Sequence, residues 1–94
     1  MNQRLIERRL RDVSDKLTRA RDELALVEEQ LASLVDDADD ARIRSLVSET
    51  PLADKEWHDA TRHAEAMERS RQTTLQRVAE LVAAQDELLG KLVV

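Results

Sequence analysis

The sequence predicts an all-α fold: a long, coiled-coil-like antiparallel helical hairpin that dimerises into a four-helix bundle. Three observations carry this prediction. The first is composition. There is one Gly, one Pro, no Phe or Tyr and a single Trp, and 37% of the residues are charged. Rich in Leu, Ala, Glu and Arg, the chain matches long helices and lacks the β-branched and aromatic runs that strands require. The second is a heptad repeat in the first half. The third is one well-formed break near the middle.

The heptad seam runs through Ile6, Leu10, Val13, Leu17, Ala20, Leu24, Val27, Leu31, Leu34 and Ala38, with spacings that alternate four and three. Ten successive matches define an amphipathic helix. Leu occupies most a positions and Ile or Val most d positions, the reverse of the order favoured by parallel dimers, so a higher-order bundle is expected. Leu5, Leu26 and Val35 add apolar surface beside the seam. Helix 1 is expected over about residues 3–47.

Within it, Asp36, Asp37, Asp39 and Asp40 predict a kink at 36–40, because Asp is a poor helix former and neighbouring like charges repel. This segment is an alternative position for the chain reversal, and residues 39–48 are an alternative short third helix. The stronger break is Ser48-Glu49-Thr50-Pro51. Thr50 suits an N-cap, and Pro51 suits the first helical position, where its missing N–H is not needed. The turn is therefore placed at 48–51 and helix 2 at about 51–90, with Gly90 as its C-terminal stop.

Helix 2 carries a flawed seam of Trp57, Ala60, Ala64, Met67, Arg71, Thr74, Val78, Leu81, Gln85, Leu88 and Leu92, widened by Leu75, Val82 and Leu89. A reversal near Thr50 sets residue i against roughly residue 100 − i. Ala38 and Ala41 then meet Ala60 and Ala64, Leu24 meets Val78, and Arg71 lies close to Glu28 and Glu29. Each arm of about 40 residues would extend about 60 Å. Two helices bury only one stripe each, so the remaining apolar surface, with the tail Leu92-Val93-Val94, asks for a partner. A second copy is the simplest one. The core and interface residues expected on this basis are Leu10, Val13, Leu17, Leu24, Val27, Leu31, Leu34, Val78, Leu81 and Leu88.

Function classes narrow by chemistry. With no Cys there is no thiolate nucleophile and no disulfide. No Ser stands in a Gly-rich elbow, and no glycine loop is present to cradle phosphate, so the chain is not expected to be an enzyme or to bind a cofactor. His58 and His63 are five residues apart and share no helix face. Glu56, Asp59 and His63 share one but read as solvated polar residues, so no metal site is expected. The charged start, Met-Asn-Gln-Arg-Leu-Ile-Glu-Arg-Arg, does not suit a signal peptide. The longest uncharged run, Gln30 to Val35, is six residues, too short to span a membrane. A cytoplasmic protein is expected, and Arg exceeding Lys twelve to three hints at a GC-rich bacterial source.

Charge is unevenly spread. Residues 1–21 hold seven basic and three acidic groups, and residues 22–60 hold three and twelve. The basic start is mixed with Glu7, Asp12 and Asp15 and has no aromatic residue to stack bases, so nucleic acid is not expected as a direct ligand. Another protein is. The partner-binding candidates are Asp36, Asp37, Asp39, Asp40 and Trp57. Two readings follow: a self-associating adaptor, scaffold or regulatory subunit, and a regulator of a nucleic-acid machine such as RNA polymerase that docks through residues 36–40.

Overall fold

The computed structural model describes residues 2–92, so Val93 and Val94 of the expected apolar tail lie outside the described residues. The fold is an all-α helical hairpin of two helices, α1 (Gln3–Ser48) and α2 (Pro51–Leu92). Asn2 starts α1. Its Oδ1 accepts the Arg4 N–H at 2.9 Å, and its carbonyl accepts from Leu5 and Ile6, so these three donors of the first turn are satisfied.

α1 runs without a break through the four aspartates, so the chain does not reverse at 36–40. Their carboxylates are exposed, where water screens the repulsion. The seam beneath them continues through half-buried Ala38 to buried Ala41 and Ser45 and holds the helix in place. Residues 39–48 are the end of α1 and not a separate helix.

Gly90 does not stop α2, which runs on to Leu92. A glycine inside a helix costs about 1 kcal/mol relative to Ala, too little to end a helix anchored by buried Leu88 and half-buried Leu92. The residue that takes the left-handed cap conformation is Glu49, at φ 52°. Its N–H bonds the Ser45 carbonyl at 3.0 Å and closes the end of α1.

The chain forms two packing units, Met1–Leu24 with Thr73–Val94, and Ala25–Gln72. In the first, Ile6, Leu17, Ala20, Thr74 and Leu88 are buried, and Leu10, Val13, Leu24, Val78 and Leu81 are half-buried. Gln85, a polar interruption of the α2 seam, donates its Nε2 to Ser14 Oγ at 3.1 Å, and Arg77 pairs with Glu23 at 3.3 Å. Leu89, expected to widen this seam, is exposed. In the second unit Val27, Ala41, Ser45 and Ala53 are buried, and Leu31, Leu34, Ala38, Ala60, Ala64 and Met67 are half-buried. There the Ser45 hydroxyl donates to the Asp54 carboxylate. In each unit the cross-helix pairs join residues whose numbers add to 99 or 100, the register expected from a reversal at Thr50.

Candidate protein interface beside the helix turn

The connection between α1 and α2 is two residues long, and three bonds fix it. Besides the Glu49 cap, Thr50 Oγ1 accepts the Ala53 N–H at 3.2 Å, and the Thr50 carbonyl accepts from Asp54 at 3.1 Å. Pro51 fills the first helical position, where no N–H is required. With Asp54 also held by Ser45, both faces of the turn are tied down.

Small residues fill the layer between the helices here. Ala41, Ser45 and Ala53 are buried. Continuing the heptad beyond Ala38 leads to Ala41, Ser45 and Ser48, so every large apolar residue from 42 to 47 falls off the seam. Ile43, Leu46 and Val47 accordingly point outward, 60%, 65% and 79% exposed, and Leu52 at the start of α2 is 66% exposed. Ile43 was not singled out by the sequence reading. The signal that finds it is the seam itself, carried one heptad further.

The partner-binding candidates lie in the same unit. Asp36, Asp37, Asp39 and Asp40 are all exposed. Neither they nor Arg42 and Arg44 form a hydrogen bond or ion pair with any described residue. Asp39, Arg42, Ile43 and Leu46 line one shallow groove. Trp57 is half-buried, and its ring stacks on His58 with centroids 5.3 Å apart and planes 15° from parallel. It therefore shows only part of its surface to solvent.

Local pairing on α2 engages several further charges of this unit. Arg71, expected close to Glu28 and Glu29, forms a two-pronged bond to Glu68 on its own helix at 2.8 and 2.9 Å. The three-residue spacing brings these groups together without ordering a second helix. Glu28 adds a weaker attraction from α1. The Arg71 bond, followed by one from Gln72, lowers the Glu68 pKa from its ordinary 4.5 to about 2. Asp59 lies between Lys55, at 3.3 Å, and Arg62. Its pKa is lowered first by the Lys55 hydrogen bond. That leaves Asp59 engaged, while Glu56 and His63, its companions on the face considered for a metal, stay exposed. No three metal-ligating side chains converge among the described residues.

A second groove lies in the other unit, lined by Lys16, Arg19, Ala20, Glu23, Arg77 and Leu81 and crossed by the Glu23–Arg77 pair. The expected interface residues Leu17 and Leu88 are buried, and Leu10, Val13, Leu24, Val27, Leu31, Leu34, Val78 and Leu81 are buried or half-buried between α1 and α2 within their units. No described helix is long and apolar enough to cross a membrane. No protein-family model matches the chain, and no curated protein and no solved structure matches it.

Proposed function

We propose that the chain is a non-enzymatic coiled-coil interaction protein, an adaptor, scaffold or regulatory subunit that works by self-association and protein–protein contact. The observation that carries this reading is the cluster of large apolar side chains left in solvent in Ala25–Gln72. Ile43, Leu46, Val47 and Leu52 lie on or beside a turn that is itself rigidly capped. Grouped exposed apolar residues on a small protein mark an interaction surface. The backbone around them is already ordered, so binding there needs little further ordering.

Sedimentation equilibrium and thermal melting over a concentration series test the proposal. A mass approaching twice the 10.7 kDa monomer is expected, with a melting temperature that rises with concentration. A chain that remains monomeric at high micromolar concentration overturns self-association.

A second reading is a regulator of a nucleic-acid machine such as RNA polymerase, docking through residues 36–40. It is supported by the four exposed aspartates that have no partner among the described residues. Replacing all four with Asn should leave helix content unchanged and abolish polymerase binding. Failure of the native chain to bind polymerase, or binding that survives the replacement, ends this reading.

A further inference from the structure

We infer that the outer face of α1 beside the turn pairs symmetrically and antiparallel with the same face of a second copy, joined by Asp39 of each chain to Arg42 of the other. The inference rests on the self-association reading and names its contact surface.

Val35, Asp39, Arg42 and Leu46 are spaced four, three and four, the repeat of a coiled-coil seam. At 3.6 residues per turn they fall within an arc of about 60°. That arc lies about 100° around the helix from Leu34, Ala38, Ala41 and Ser45, the side that packs on α2. The stripe is thus a second seam on a helix whose first seam is occupied. Val35 and Leu46 are both exposed, as are Asp39 and Arg42. The groove beside the stripe includes Asp39, Arg42, Leu46 and also Ile43, which adds apolar area.

Its order is apolar, acidic, basic, apolar, so it complements itself when reversed. A two-fold axis crossing between Asp40 and Ala41 sets Val35 against Leu46 and Asp39 against Arg42, and symmetry repeats both pairs. Parallel pairing would instead oppose Asp39 to Asp39 and Arg42 to Arg42. Charge therefore selects the antiparallel arrangement, and like charges exclude the other. Neither charged group has a bond within the described chain to give up on docking. An isologous contact of this kind closes after two chains.

Charge exchange in the full chain provides the test. Asp39→Arg opposes Arg to Arg42 of the second copy, and Arg42→Asp opposes Asp to Asp39. Each variant alone should dimerise on the order of tenfold more weakly, because two symmetric pairs change from attraction to repulsion. An equimolar mixture should recover the native dissociation constant, since every mixed pair is again opposite in charge. The double variant Asp39→Arg/Arg42→Asp should also recover it. Circular dichroism on each sample separates lost pairing from lost helix, and a variant that loses helix is replaced in the comparison by Leu46→Asp, which should weaken the dimer without a charge partner to restore it.

If the native chain dimerises and the two charge variants do so equally tightly, this inference falls while self-association stands on another face. Weakened single variants that neither mixing nor the double exchange restores also overturn it, because the charges then do not face each other. A native chain that stays monomeric at high micromolar concentration removes both the inference and the reading beneath it.

Discussion

Met1–Leu24 with Thr73–Val94 holds large side chains between its helices, whereas Ala25–Gln72 relies on small ones near the turn. The first unit buries Ile6, Leu17 and Leu88, and the second buries Ala41, Ser45 and Ala53. Large apolar residues show the opposite trend at the surface. Among the described residues, six of the exposed ones, Leu26, Val35, Ile43, Leu46, Val47 and Leu52, belong to the second unit and one, Leu89, to the first. Charge follows the same division. The first unit has nine basic and eight acidic residues, net +1, and the second has six and twelve, net −6. One seam with one spacing thus serves two purposes. Where it carries bulk it stabilises the fold, and where it carries Ala and Ser the large apolar side chains stand in solvent.

The largest test of this contrast compares two leucines. Leu17→Ala should cost about 2–5 kcal/mol, because it empties a buried site. Leu46→Ala, in dilute monomer, should change stability by about 0.5 kcal/mol or less. Similar losses at both positions in chemical denaturation would remove the distinction between the units. Next in size is Ala41→Leu. Ala41 is 2% exposed among small neighbours, and overpacking there should cost about 1–3 kcal/mol. A neutral result in the same assay would mean that the layer beside the turn has room to spare.

The smallest effect concerns pH. The Glu68 pKa is lowered on folding, so its pairing with Arg71 stabilises the protein fully above about pH 4.5 and is lost as pH falls toward 2. The difference in melting temperature between the native chain and Glu68→Gln should shrink over that window. A difference that stays constant from pH 6 to pH 2 would show that the pair contributes nothing to folding. The carboxylate is partly open to water, 42% exposed, and screening keeps the effect small.

Helix identity, the position of the turn and the pairing register were legible in the sequence for a physical reason. Ten heptad matches define the buried stripe of α1, and Thr50-Pro51 fixes where the chain reverses, so the register follows by counting. What escaped was decided by competition between nearby groups. Asp36 to Asp40 offered an alternative reversal only while the seam was followed no further than Ala38, since Ala41 and Ser45 carry the helix across. Arg71 had carboxylates on both helices to choose from, and the one three residues away prevailed. Asn2 had the right chemistry for a cap but was overlooked among charged neighbours. The surface beside the turn was half legible: the aspartates and Trp57 stood out, while Ile43 emerged only from seeing which positions the inner layer leaves over.

The two-residue connection has a bearing on which assemblies are open to the chain. Hairpins with short links can straighten into one continuous rod and exchange arms with a neighbour. Holding Glu49 left-handed costs about 1–2 kcal/mol, which by itself would favour straightening. Pro51 opposes it, because within an uninterrupted helix its ring would collide with the Val47 carbonyl, a penalty of about 3 kcal/mol or more. Proline in the helix is the heavier of the two penalties, so arm exchange is disfavoured and the turn favours the closed hairpin.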